Sequence, residues 1–334
     1  MSQNNLLKNI QNYLFSQQVL QKKDKIIIAV SGGPDSVFLL NIFNQLAKKY
    51  QWKLGVAHIN YNLRGKDSQR DEKLVENLAQ KFNYPFYLKK ISLQKKNEVN
   101  ENFLREIRYN FFEKIRQRYD YNWIVVGHNQ DDQAETLLLH LIRGSGLQGL
   151  SAMNFRNNYI VRPLLNTKRE EIINYLQKYK IEYRKDKSNK SLKFLRNKIR
   201  WKLLPYLEKN YNSKIKDNLA ILANNVADDY NFLRRETEKI FSQWKIDLKN
   251  EINEIIFQEK DFLKLDKAIQ KMFLRLIWEK LRGSLFDFYN NDINEMLKII
   301  RSQKNKIHLF KKQNITLLKK GDKIIISKVR NKIK

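Results

Sequence analysis

Residues 25–50 read KIIIAVSGGPDSVFLLNIFNQLAKKY, an apolar run that stops at Ser31-Gly32-Gly33-Pro34-Asp35-Ser36 and resumes at helical spacing. A short β-rich run closed by a glycine turn predicts a buried strand, and the segment after the turn predicts a helix. Paired glycines let backbone N–H groups point at an anion, the serine hydroxyls add donors, and the helix dipole favours negative charge there. A Gly-Gly-Pro turn that merely joins strand to helix is the plainer alternative; two hydroxyls and Asp35 at the junction favour phosphate. A Walker A loop is excluded, because no lysine follows the glycines and their spacing is wrong.

Outward from this loop, KLGVAHIN (53–60), PFYLKKIS (85–92) and WIVVGHN (123–129) are further strand candidates with helical patterns between them. That alternation predicts an α/β fold, a parallel doubly wound sheet with helices on both faces. Ligands in such folds bind at the carboxyl ends of the strands, where Ser31 to Ser36, His58 to Gly65 and His128 to Glu135 cluster. Beyond about residue 150 the pattern turns mainly helical, with long helical stretches near 213–243, 260–282 and 288–301. KIHLF, ITLLKK and KIIISK then predict a small C-terminal antiparallel sheet. The expected domains are 1–212, catalytic, and 213–334, helical with that sheet. No repeat at a solenoid period is present.

A length of 334 residues suits two domains. No run approaches the roughly 20 apolar residues that cross a bilayer, and the N-terminus lacks the order of a secretory signal. Zero cysteines exclude disulfides, Cys-ligated metal and a catalytic thiol. A cytoplasmic protein without membrane contact is expected, and the oligomeric state stays open, a homodimer being one arrangement. The net charge is +30, which favours a polyanionic partner. Lysine-rich codon usage would spread charge evenly, yet residues 162–209 hold 15 basic and 5 acidic residues, 298–334 hold 13 and 1, and 101–150 hold 6 and 7. Two basic surfaces around a neutral or acidic site point to nucleic acid.

A helix starting near Asn129 gathers Asp131, Asp132 and Glu135 on one side beside His128, with Ala134, Leu137, Leu138 and Leu141 on another, so the carboxylates are expected to face away from the core. Acids in a first turn also simply complement the helix dipole, by about 0.3–1 kcal/mol each. In a basic chain, three acids and a histidine at a strand end suit a cationic substrate. Arg196, Lys198, Arg200 and Lys202 are candidate RNA-phosphate ligands, with Trp201 and Tyr206 as stacking surfaces; a solvated helical face is the alternative. Gly144-x-Gly146-x-x-Gly149 matches the dinucleotide fingerprint but follows a helical run, so its context fails and it reads as an active-site loop or a helix-ending turn. The histidines at 58, 128, 140 and 308 show no metal-ligand spacing, and His140 reads as structural.

The loop at 31–36 resembles the SGGxDS motif of the N-type ATP pyrophosphatases, the PP-loop superfamily of adenine nucleotide alpha hydrolase-like fold. Within it, His58 to Gly65 with Ser68 and Asp71-Glu72, Gly127 to Thr136, and Arg143 to Leu150 resemble the tRNA(Ile)-lysidine synthetase family. Arg105, Arg108-Tyr109, Arg162-Pro163-Leu164, Asp186, Ser188-Asn189, Arg196-Asn197, Ile199-Arg200 and Leu204-Pro205 extend the likeness over 24–206, and more loosely over 213–330. The resemblance implies the shorter form of the family. It implies ATP and Mg²⁺ as cofactors, L-lysine and an isoleucine tRNA with a CAU anticodon as partners, and lysine joined to C2 of the wobble cytidine through an adenylated base. The products are lysidine, AMP and pyrophosphate, and codon reading moves from AUG to AUA. By resemblance Ser31, Gly32, Gly33, Pro34, Asp35, Ser36 and His58 hold ATP, with Asp35 on Mg²⁺; Arg108 and His128 stand near the adenylated intermediate; Asp131, Asp132 and Glu135 hold lysine. Asp35, Arg108, His128, Asp132 and Glu135 are then the catalytic candidates, and residues 213–334 a tRNA-binding domain. The rivals are a pyrophosphatase-type tRNA thiolase, disfavoured by the absence of cysteine; a small-molecule synthetase, which predicts neither basic surface; and a non-catalytic tRNA-binding protein, which needs no pyrophosphate loop.

Overall fold

The computed structural model describes residues 3–63, 65–91, 101–184, 194–244, 246, 254–285, 287–310 and 314–328. Arg64, Asp186, Ser188 and Asn189, named above, lie outside the described residues. The chain divides into two compact units, Met1–Ala227 and Asp228–Lys334.

In the first unit, α1 (Gln3–Ser16), β1 (Lys25–Ala29), α2 (Pro34–Tyr50), β2 (Lys53–Asn60), α3 (Lys66–Lys81), β3 (Phe86–Lys90), α4 (Glu101–Arg118), β4 (Trp123–Val125), α5 (Gln130–Ile142), α6 (Leu147–Leu150), β5 (Arg156–Asn157), β6 (Ile160–Val161) and α7 (Arg169–Lys178) follow in order. The six strands make one sheet, ordered β3-β2-β1-β4-β6-β5. Its pairs are parallel save β5 with β6, and Ile26, Ile27 and Ile28 of β1 stand opposite Leu54, Gly55 and Val56 of β2. The expected parallel sheet is therefore present.

Period-two alternation sends β1 to both faces at once. Ile26 and Ile28 join Leu54, Val56 and Val125 in a core with α1, α2 and α7, while Ile27 joins Ala57, Ile124 and Val126 in a core with Phe112 and Ile115 of α4. All three isoleucines are fully buried. Strands covered on both faces read as unbroken apolar runs, which is why these were visible in the sequence. The order reverses between β1 and β4, one neighbour leading to β2 and the other to β6, and the crevice outside such a reversal is where this architecture binds ligands.

After Arg184 the described chain resumes at Phe194 with α8 (Leu195–Lys198), a π-helical turn (Ile199–Leu203) and α9 (Leu204–Asn210). One long helix follows, α10 (Ile215–Gln243). Leu219 and Ala223 of α10 pack with Ala134, Leu137 and Leu138 of α5 and with Ile199 and Leu204. Tyr230 and Phe241 belong to the core of the second unit. The division between the two compact units falls inside α10, after Ala227.

The second unit adds β7 (Glu254–Gln258), α11 (Glu259–Lys264), α12 (Lys267–Arg282), α13 (Asn290–Ile300), β8 (Lys306–Phe310), β9 (Ile315–Lys320) and β10 (Lys323–Lys328). The small sheet is antiparallel as expected, with a fourth strand at its β10 edge in the order β7-β10-β9-β8. The helical stretch expected over 260–282 is broken, because Leu265 and Asp266 take extended backbone. Phe241 stacks on Phe273 at 4.3 Å in a core that includes Trp278 and Ile326. Among the described residues no helix is long and apolar enough to cross a membrane.

Candidate functional site

The phosphate-loop candidate fills the crevice at the sheet reversal. Gly32 takes φ +87, a conformation costly to any residue with a Cβ. Gly33 caps α2 without a side-chain hydrogen bond, and Pro34 opens the helix. The Ser36 hydroxyl ties the turn together: it accepts from the Ser31 amide at 3.1 Å and donates to the Gly33 carbonyl at 3.0 Å. Because the cap supplies no acceptor, first-turn amides of α2 stay available to an anion.

Gly127 follows β4 and packs directly on this loop. A Cβ there would lie 3.0 Å from the Asp35 carbonyl carbon and oxygen and 3.1 Å from the Ser36 amide. Two residues on, Asn129 is fully buried and joins loop to helix. Its Nδ2 donates to Asp35 Oδ1 at 2.8 Å, its Oδ1 accepts the Asp132 amide at 3.1 Å, and its own amide donates to Asp132 Oδ2 at 3.0 Å. The last two bonds form a capping box, in which each residue's side chain accepts from the other's backbone N–H. Asp35 and Asp132 are thereby held near one another. The other oxygen of Asp35 accepts from Arg169 Nη1 at 3.2 Å. Burial raises the Asp35 carboxyl, and Asp132 adds to the rise while Arg169 opposes it.

The three acids do not act as one cluster. Asp131 turns toward the Arg169 amide, 3.3 Å away, and Lys216, 3.5 Å away. Asp132 and Glu135 turn inward instead of away from the core, with Glu135 2% exposed. α8 and the π-helical turn lie against them: Arg200 Nε donates to Glu135 Oε1 at 2.5 Å, its Nη2 reaches Glu135 Oε2 at 2.8 Å and Asp132 Oδ1 at 2.7 Å, and Arg196 Nε reaches Glu135 Oε2 at 3.2 Å. Buried carboxylates need such counter-charges. The four basic residues considered for RNA thus divide: Arg196 and Arg200 are engaged with carboxylates, whereas Lys198 and Lys202 point outward and are exposed. Leu141, expected on the apolar side of α5, is 54% exposed.

Asp132 and Glu135 are driven apart electrostatically. His128, Arg196 and Arg200 hold Asp132 below its ordinary value against the burial that raises it. At Glu135 burial dominates, reinforced by Asp132, and the carboxyl sits above its ordinary value despite its arginines. His128 is depressed, first by burial, with Arg162, Arg105 and Arg196 adding to the effect and Asp132 opposing it. Its Nδ1 is buried without a hydrogen-bond partner among the described residues.

Other candidates take supporting places. His58 is 3% exposed, and its Nδ1 donates to the Val30 carbonyl at 2.8 Å, bracing the strand just before the loop. Arg108 is exposed and donates to the Tyr61 hydroxyl at 3.2 Å; Arg105, one turn earlier, is the α4 arginine whose charge bears on His128. His140 is structural as expected, its Nδ1 donating to the Gly149 carbonyl. Gly144, just past the Arg143 cap of α5, takes φ +74. The sequence reading overlooked Asn129, Arg169 and the packing role of Gly127. Asn129 alone carried a signal, as the first residue of an N-x-x-D capping pattern.

The two depressed histidines fix a sign for acid stability. Both bind a proton less readily in the fold than in the unfolded chain, where histidine titrates near pH 6.5, so unfolding takes up protons and stability falls as pH drops below about 6.5. His128→Gln is expected to flatten this fall by up to one proton, about 1.4 kcal/mol per pH unit. Urea unfolding at pH 7.5, 6.5 and 5.5 checks it; parallel slopes for variant and wild type would show that His128 titrates normally.

Among the described residues no group of three or more His, Cys, Asp or Glu could cage a metal ion. Asp35, with Asp132 near it, suits instead an ion carried by phosphates, since Mg²⁺ usually takes one or two protein carboxylates plus phosphate oxygens and water.

A family model described as PP-loop domain matches residues 2–207. The chain is 35% identical over 300 residues to the tRNA(Ile)-lysidine synthase of Clostridium tetani, an alignment covering 88% of this chain and 63% of that protein. It is 31% identical over 326 residues to the tRNA(Ile)-lysidine synthase of Petrotoga mobilis, covering 96% of this chain and 97% of that one. It therefore spans less than two thirds of the clostridial relative and nearly all of the Petrotoga one. Among solved structures the U34-tRNA thiolase NcsA of Methanococcus maripaludis shares the fold, with a TM-score of 0.53 and 17% identity over 65% of this chain and 78% of that one. On the PP-loop match and the extent of these identities, the chain belongs to the tRNA(Ile)-lysidine synthase family of PP-loop proteins.

Proposed function

We propose that the protein ligates L-lysine to C2 of the wobble cytidine of an isoleucine tRNA with a CAU anticodon, converting ATP to AMP and pyrophosphate. The observation that carries this reading is that one crevice holds both an anion-ready loop at Ser31–Ser36 and the buried acids Asp132 and Glu135, with Asn129 bonded to each side at 2.8 and 3.0 Å. Phosphate chemistry and a cationic nucleophile are thereby accommodated together. Relatives carrying this name support it.

In this reading the α2 amides and the serine hydroxyls hold the pyrophosphate end of ATP while cytidine O2 attacks the α-phosphate and pyrophosphate leaves. Asp35 would hold Mg²⁺, which when bound neutralises phosphate charge. Neutral His128, with Arg105 and Arg162 around it, faces the adenylated base. The ε-ammonium of lysine, ordinarily near pKa 10.4, must lose a proton before attacking C2 and displacing AMP. Glu135, raised by burial, is the better proton acceptor, and Asp132, lowered, remains the fixed anion. The guanidinium of Arg200 already occupies a cation's place between them. A lysine ammonium takes over those acceptor oxygens, and the displaced arginine becomes available to an RNA phosphate. The tRNA substrate places the reaction in the cytoplasm. In the second unit, residues 298–334, with 13 basic and 1 acidic residues, supply affinity for the tRNA backbone.

The test incubates the protein with ATP, Mg²⁺, labelled lysine and this tRNA, then digests the RNA and weighs the wobble nucleoside. A lysine-sized addition to cytidine is expected. Pyrophosphate release with a different RNA product, or no ATP turnover with any tRNA, would overturn the reading.

A further inference from the structure

Between the end of α5 and the segment formed by α8, the π-helical turn and α9 lies a groove of about 380 Å³, within the roughly 300–1,000 Å³ of ligand clefts. Ile142, Leu195, Leu203 and Tyr206 contribute its almost wholly apolar walls, and the charged side chains lining it, Lys198 and Lys202, are both cationic. Ile142 is 53% and Tyr206 56% exposed, so the walls are open to a partner. Arg196 and Arg200 of this segment reach Asp132 and Glu135, while Lys198 and Lys202 line the groove.

We propose that this groove is a subsite for one unstacked nucleobase of the RNA substrate, from a nucleotide adjoining the reacting cytidine; this rests on the function proposed above. Apolar walls and an accessible tyrosine ring suit the π-face of a base, and the two lysines that line the groove suit its phosphates. Charge selects the occupant. A second copy of a chain of net charge +30 would bring like charge to these lysines, whereas RNA brings the opposite sign. The π-helical backbone of Ile199–Leu203 is a feature frequent at functional sites.

The experiment is a binding cycle on the full chain with synthetic hairpin RNAs carrying CAU in the loop, each loop nucleotide made abasic in turn. Tyr206→Ala is expected to weaken the intact hairpin about tenfold. One abasic position should weaken wild type by a similar factor while leaving Tyr206→Ala unaffected, since base and ring have then lost the same contact. Ile142→Glu, an exposed change, should also weaken the hairpin and leave ATP affinity alone. Equal binding by all abasic hairpins, or wild-type binding by Tyr206→Ala, overturns the proposal; so does a concentration-dependent dimer that Tyr206→Ala abolishes, which would make the groove a protein interface. Absence of lysine transfer by wild type would refute the assigned reaction, while the hairpin cycle would still decide the groove.

Discussion

Glu135→Ala is expected to lower the stability of the first unit by about 3 kcal/mol and to abolish lysine transfer. The carboxylate is 2% exposed and takes both Nε and Nη2 of Arg200 together with Nε of Arg196. Removing it leaves two guanidinium groups, each about one-fifth exposed, sharing Asp132. Breaking a buried ion pair costs about 3–5 kcal/mol because the survivor is left desolvated, and the residual exposure of the arginines places this case at the lower end. Calorimetry on the full chain should show the corresponding transition falling by about 6–12 °C. Glu135→Leu combined with Arg200→Met should recover most of that stability, since a buried pair replaced by apolar groups is often neutral. Lysine transfer should stay lost in the double variant, because the proposed proton acceptor and cation site are still missing. An unchanged transition temperature for Glu135→Ala would mean that the arginines do not engage the acid in solution. Recovery of activity along with stability would give Glu135 a purely structural role.

These ion pairs mark where sequence reading stops. Strands β1, β2 and β4 were legible because burial on both faces leaves apolar runs no polar surface interrupts, and the Ser31–Ser36 turn because its chemistry is local. Asp132 and Glu135 were legible as residue types at the right strand end, but not in direction. A helical wheel sees one helix; it cannot see that Arg200, 65 positions later, belongs to a segment laid over the acidic face. Once that segment is in place, Asp132 and Glu135 turn inward and meet guanidinium groups, which offset part of the cost of burying them. The same packing reverses Leu141, whose apolar side was assigned without knowing what would cover it. Arg169 was invisible for a similar reason: 134 positions separate it from Asp35. β7 escaped because its alternating, half-exposed pattern needs β10 beside it before it means a strand.

Asp35→Asn is expected to reduce ATP-dependent pyrophosphate release at least about a hundredfold, the loss typical when a group stabilising transition-state charge is removed, while hairpin RNA binding stays at the wild-type level. The substitution keeps shape and an acceptor for Asn129 Nδ2, now 2.8 Å from Asp35 Oδ1, so the loop and the α5 cap should persist. What disappears is the charge. Without it Arg169, now 3.2 Å from the second oxygen, has no anion at the loop, and a phosphate-borne Mg²⁺ has no protein carboxylate there beyond Asp132. Burial already raises the Asp35 carboxyl, so the ionised form is held at a cost that a cation at the loop would relieve. An effect on kcat with intact RNA affinity is the signature of a group acting on the phosphates. Equal loss of RNA binding would instead signal a collapsed loop, and calorimetry would separate that outcome from a chemical one. Wild-type turnover by Asp35→Asn would remove the phosphate role from this loop and with it the basis for ATP in the crevice.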